Sequence, residues 1–153
     1  MSFSESLKHG GYGEHAVWNL FNKQANVRSV VDVREDKNFQ EQDIDFLVEN
    51  IYRQFHSVEV KTDYKAHETG NVVYEVTTSG NIGCFEKTKA KYIAYFITHS
   101  ETVHMIDVER FRKYIHSIVR QPKDMGDNAS GYLIPIEDLK KHKIIIYTYE
   151  GVV

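Results

Sequence analysis

Three short runs rich in β-branched residues, Val27 to Val33, Ile44 to Val48 and Ser57 to Thr62, follow one another, with a polar turn between the first two and no helical run among them. Alternation with a period of two marks a half-buried strand. Three such runs in succession restrict the chain to folds that open their sheet with consecutive strands. A helical period occurs only outside this block. Ahead of it, Val17, Leu20, Phe21 and Gln24 recur at helical spacing, predicting a helix from about Gly13 to Lys23 with Gly10, Gly11 and Gly13 as a flexible entrance. Behind it, strands are predicted at Val72 to Val76, Tyr92 to Ile97, Val103 to Ile106 and Lys143 to Tyr149, with a short extended piece at Tyr132 to Pro135. A short helix is expected near Glu86 to Lys91, and one or two helical turns at Ile136 to Lys141. Val108, Phe111, Ile115, Ile118 and Val119 share one face of an amphipathic helix from Asp107 to Val119, with Asp107 as its N-cap. Residues 34 to 42 read as a polar turn. The expected class is α/β in the mixed α+β sense, a central mixed sheet flanked by helices and not a doubly wound one.

The chain has 153 residues, which suits one domain spanning 1–153 and is long enough to bury a core without staples. No repeat or low-complexity linker divides it. The single cysteine, Cys84, excludes a disulfide framework and a multi-cysteine zinc site and fits a reducing, cytoplasmic setting. No signal peptide is legible, and no stretch approaches the roughly 18 apolar residues of a membrane span. The formal net charge of -3 speaks against a strongly basic nucleic-acid binder. The acidic excess, however, lies in the first 60 residues, and the remainder is nearly balanced.

Within that acidic part, the segment SVEVK at 57 to 61 carries the most chemistry. In a strand, Glu59 and Lys61 project to one face and Val58 and Val60 to the other. Asp45, on the preceding strand, can lie beside Glu59 if the two strands are antiparallel neighbours. Two carboxylates with water and phosphate completing the shell are what a hard cation such as Mg2+ (or Mn2+) requires. Lys61 can then hold the attacking water or neutralise charge on a phosphate. The alternative for so short a pattern is an ordinary solvated strand face with alternating charges.

Asp45 followed by Glu59-Val60-Lys61 resembles the PD-(D/E)XK nuclease superfamily. The local context (Gln42, Asp43-Ile44-Asp45-Phe46, Asp63, Thr69-Gly70-Asn71 and Glu75) is similar to a phage and bacterial subgroup of small nucleases. The proline common before the aspartate is replaced by Ile44. The resemblance covers about residues 10 to 97 and implies a restriction-endonuclease-like core: a helix, three antiparallel strands, a crossing helix and a further strand. It implies Asp45 and Glu59 as metal ligands, the Val60 carbonyl as a third, Lys61 as the catalytic lysine and Glu14 as an auxiliary acid reaching the metal. It also implies a metal-dependent DNA endonuclease, acting on branched or single-stranded DNA during phage or mobile-element replication. DNA is the expected partner; a homodimer would serve cutting of two strands, and the oligomeric state stays open. The alternative function is a non-catalytic nucleic-acid or protein interaction module that keeps the fold.

Other residues are two-sided. Without the resemblance, Glu14 reads equally as an acid favoured by a helix N-terminus. Asp43 reads as second acid or as turn, and Glu75 as site residue or as salt-bridged strand acid. Lys65, on the loop after the catalytic strand, and Lys89, with Lys87 and Lys91, are candidates to contact a phosphate backbone; so are Arg110, Arg112, Lys113 and Arg120 on the long helix. All of these read equally as solvated surface. His15 is expected at the surface, the histidines lack zinc-ligand spacing, and Cys84 lacks a histidine partner for nucleophilic work.

Overall fold

In the computed structural model, residues 3–118, 120–126 and 128–152 are described, with side chains from residue 11 onward. The elements are α1 (Phe3–Asn22), β1 (Val27–Asp32), α2 (Lys37–Gln40), β2 (Phe46–Asn50), β3 (Phe55–Asp63), α3 (Ala66–Thr69), β4 (Asn71–Thr78) and β5 (Asn81–Ile82). There follow α4 (Cys84–Lys87), β6 (Tyr92–Ile97), β7 (Thr102–Asp107), α5 (Val108–Ser117), β8 (Lys123–Gly126), β9 (Ala129–Pro135), α6 (Ile136–Lys141) and β10 (Ile145–Tyr149). A six-stranded mixed sheet has the order β1-β2-β3-β6-β7-β10, and a four-stranded sheet the order β5-β4-β9-β8. The class is mixed α/β, as the pattern of runs predicts. Among the described residues no helix is long and apolar enough to cross a membrane.

The strands β1, β2 and β3 are antiparallel neighbours, and β3 then pairs in parallel with β6. Parallel neighbours need a crossover. The resemblance implies a crossing helix here; instead, the connection holds two one-turn helices, α3 and α4, and the strands β4 and β5 of the second sheet.

Alternation along β3 decides which face does what. Val58 is buried on the face covered by α1, among Ala16, Val17, Phe21, Phe46, Ala94 and Phe96. The opposite face of the large sheet packs Ile93, Tyr95 and Ile106 against Val72, Tyr74 and Ile134 of the small sheet, Phe111 of α5 and Leu139 of α6. Glu59 and Lys61 point to this second side, where Lys61 Nζ lies 5.9 Å from the Phe85 ring centre.

Several boundaries differ from the sequence reading. The glycines expected as a flexible entrance lie inside α1, which begins ten residues earlier than Gly13. Gly13 is a packing glycine: a Cβ there would stand 1.9 Å from Thr62 Oγ1, so its absence lets the helix close on β3. The short helix expected at Glu86 to Lys91 is α4, placed earlier, because Thr88 turns extended (φ -60, ψ 141) and its hydroxyl donates to the Asp43 carbonyl. The helix expected to reach Val119 ends at Ser117 with Ile118 extended, and Val119 is outside the described residues. Its N-cap is Asp107, whose carboxylate accepts from the Arg110 amide at 3.0 Å. The short strands β5 and β8 carry no alternation legible in sequence.

Candidate active site

The second strand begins at Phe46 and not at Ile44, and the reason defines the site. Phe46 is opposite Val58 in the β2–β3 register, so one step further Asp45 stands across from Glu59. The Asp45 amide still donates to the Val58 carbonyl at 2.9 Å, and Val33 donates to the Asp45 carbonyl at 3.0 Å. The Val60 amide, however, donates to Asp45 Oδ2 at 2.8 Å. A side chain has replaced a backbone acceptor in the ladder. This fixes the Asp45 carboxylate beside β3. Because N–H and C=O of one strand residue share an edge, the Val60 carbonyl also lies on the Asp45 side.

Both carboxylates resist ionisation. Burial pushes Asp45 up to about 6; the Val60 hydrogen bond opposes this, the nearby Glu14 charge adds to it, and Arg34 pulls it back. Glu59 is pushed up to about 9, first by burial, then by the charges of Asp45, Asp43 and Glu14, with Lys61 acting in the other direction. Two acids thus share a poorly solvated corner, and the cations around them leave the pair under-neutralised. Among the described residues, no three His, Cys, Asp or Glu side chains are grouped to hold a metal ion. What the corner offers a cation is two carboxylates and a backbone carbonyl, which would be hard oxygen donors of the kind Mg2+ or Mn2+ takes. A divalent cation would stabilise the ionised form of both carboxylates, which burial and neighbouring acids disfavour, so these residues fit the metal.

Lys61 makes its ion pair with Glu75 of β4, Nζ to Oε2 at 4.0 Å. Glu75 is thus both at the site and salt-bridged. Cys84 lies close enough for Lys61, Glu59, Asp43 and Glu75 to act on it, but burial pushes its thiol up to about 11, which leaves it a poor nucleophile at neutral pH.

Glu14 on α1 reaches the corner from the other face of the sheet. Its Oε2 accepts from Arg34 Nη1 at 2.8 Å, and Arg34 also holds Asp32 through Nε at 2.9 Å and Nη2 at 2.7 Å. Arg34 is raised well above its ordinary value by these hydrogen bonds, chiefly that to Asp32. It was read from the sequence only as part of a polar turn. Asp32 is two residues away, but nothing in the spacing marks Glu14 as a partner, because that acid comes from α1 and only the fold brings it to Arg34.

The peripheral residues divide. Asp43 adopts a left-handed turn conformation (φ 53) and lies 3.4 Å from Lys87 Nζ, with its charge felt at Glu59. Lys65 is exposed and its amide donates to Asp63 Oδ1 at 2.7 Å. Lys89 is exposed beside the Asp43 turn, its amide donating to the Gln42 carbonyl at 2.8 Å. Arg112 is committed to structure: its guanidinium donates to the Phe85 carbonyl at 2.6 Å and to that of Thr88. Arg110 pairs with Asp107 and Lys113 with Glu109. His15 is at the surface, as expected.

The sequence matches no protein-family profile and no curated protein. Among solved structures, the chain is similar to a bacterial homing endonuclease, I-Ssp6803I, with a TM-score of 0.49 and 15% identity over 80% of this chain and 86% of that one.

Proposed function

We propose that this protein is a Mg2+-dependent (or Mn2+-dependent) DNA endonuclease of the PD-(D/E)XK type. The observation that carries the reading is the β2–β3 register, which sets Asp45 across from Glu59 with Lys61 next along the same face of β3. Asp45, Glu59 and the Val60 carbonyl would hold the metal. Bound there, the ion supplies Lewis acidity at the scissile phosphate and lowers the pKa of water. The Asp45–Val60 hydrogen bond keeps one carboxylate in a fixed orientation. Lys61 presents a positive charge to the phosphate as negative charge grows on its oxygens, or orients the attacking water. Water forms the new P–O bond as the phosphodiester P–O bond breaks. Glu14 is the auxiliary acid, held by Arg34 in the free protein. Lys65 and Lys89, both exposed near the site, are proposed to contact the DNA backbone. Branched or single-stranded DNA is the proposed substrate class.

The test is cleavage of linear, nicked, flapped and four-way DNA with Mg2+. The wild type cuts at least one of these, and Lys61→Ala slows that cutting by about 100-fold or more. Equal cutting by both proteins would remove Lys61 from the mechanism. Binding without cutting, whatever residue stands at 61, would favour a non-catalytic nucleic-acid module.

A further inference from the structure

We infer that Glu75 is a positioning residue for Lys61, held in place by the small sheet that the crossover carries against the site. The inference rests on the nuclease reading of Lys61.

A lysine side chain has four rotatable bonds, and holding its ammonium at one point costs conformational entropy unless neighbours pre-order it. Three acids lie around Lys61 on its face: Glu59 and Asp63 on its own strand, and Glu75 on β4; Asp63 is occupied by the Tyr95 hydroxyl and the Lys65 and Ala66 amides. Among the described residues, the carboxylate within 4.0 Å of Nζ is that of Glu75. Lys61 is therefore drawn towards the small sheet and away from the Asp45–Glu59 pair. Phe85 sets a second boundary, with its ring centre 5.9 Å from Nζ and its ring stacked on Tyr74 at 5.2 Å.

Glu75 is itself unusually constrained. Thr78 Oγ1 donates to the same oxygen, Oε2, at 2.7 Å. The pairing of β4 with β9 slips between Glu75 and Thr77, and an irregularity of this kind re-aims a side chain relative to a regular strand. Two glycines clasp the backbone at this point. A Cβ on Gly131 would stand 2.2 Å from the Tyr74 carbonyl oxygen and 2.9 Å from Glu75 Cα, and one on Gly83 1.9 Å from the Glu75 carbonyl oxygen. The slip, the hydroxyl and both glycines act on one residue, whose only cationic contact within 4.0 Å, among the described residues, is Lys61. An ion pair stretched to 4.0 Å, with both side chains partly exposed, contributes little to stability. Its effect belongs in the rate, through the position of the ammonium.

The experiment is steady-state cleavage by Glu75→Gln, Thr78→Val and Thr78→Ser beside Lys61→Ala and Glu59→Gln, each checked by thermal melting. Glu75→Gln should lower kcat about 10-fold or more with KM changed less than about 2-fold. Thr78→Val should lower kcat by a smaller factor, and Thr78→Ser, which keeps the hydroxyl, should restore the wild-type rate. A wild-type kcat in Glu75→Gln would overturn the inference. So would a loss confined to KM, which would make Glu75 a substrate contact, or equal losses in both Thr78 variants. If Lys61→Ala and Glu59→Gln cut like the wild type, the nuclease reading itself fails, and the inference fails with it.

Discussion

Glu59 bears the heaviest electrostatic load of the site: it is half-buried, faces Asp45 and feels two further acids. A carboxyl whose folded pKa is raised favours folding while protonated, and this contribution is lost as pH rises from the unfolded value towards the folded one. Here that window runs from about 4.5 to about 9 for Glu59 and from about 3.8 to about 6 for Asp45. His104 opposes them. It is buried, its Nδ1 lies 2.8 Å from Thr148 Oγ1, and burial first, with Lys140 adding, depresses it to about 4, so it costs stability as pH falls below about 6.5. The expected outcome is that metal-free protein gains stability on acidification from pH 9 to 6.5, by at most about 1.4 kcal/mol per pH unit; just below 6.5 the His104 penalty offsets the Glu59 gain, until Asp45 adds its own below about 6. Urea denaturation across this range measures it, and an unchanged midpoint would remove the proposed strain at Glu59. Glu59→Gln should flatten the slope, stabilise the metal-free protein at pH 8 by about 1 kcal/mol or more and abolish cleavage. Mg2+ or Mn2+ should raise Tm more at pH 8.5 than at pH 5.5, since protons and metal compete for the same oxygens. Equal shifts at both pH values would count against binding at this pair.

At the level of elements, α1 against β3 offers the sharpest packing test. Alanine exceeds glycine in helix propensity by about 1 kcal/mol, so Gly13→Ala would stabilise an isolated helix. In this fold the added Cβ meets Thr62 Oγ1, and the variant should lose about 1–3 kcal/mol in urea denaturation. Removing the hydroxyl with Thr62→Ala should recover most of that loss in the double variant; additive losses would mean that the contact is not the cause. The same pair marks where sequence reading succeeds and stops. Val58, Glu59, Val60 and Lys61 were legible because a strand's period of two fixes which side chains share a face, whatever lies around them. The glycines of α1 were misread as an entrance because their use depends on a strand nearly fifty residues away. Arg34 was illegible for the same reason, since its link to Glu14 on α1 exists only in the fold; in the crossover, β5 is too short to show alternation. The start of the strand at Asp45 was not legible, since a side chain there takes an amide normally left to backbone.

On the scale of the whole molecule, a net charge of -3 now describes a chain whose acidic excess lies in its first 60 residues, which include the acids proposed to bind a cation. Affinity for DNA without divalent metal should be modest and should fall with salt; the same assay with Ca2+ in place of Mg2+ should show tighter binding, and no change would argue against the metal as the link to DNA. The two sheets share one core, with Tyr74, Phe85, Ile93, Tyr95 and Phe111 packed together, so the strand carrying Glu75 cannot be displaced without disturbing the sheet carrying Lys61. That strand pairs with β9, which comes from residues 129–135, and the large sheet is finished by β10 at 145–149. The Asp, Glu and Lys of the proposed centre leave the ribosome well ahead of β9 and β10, so the scaffold proposed to steady the lysine closes only after them. A growing chain therefore carries the proposed cutting residues long before it can aim them.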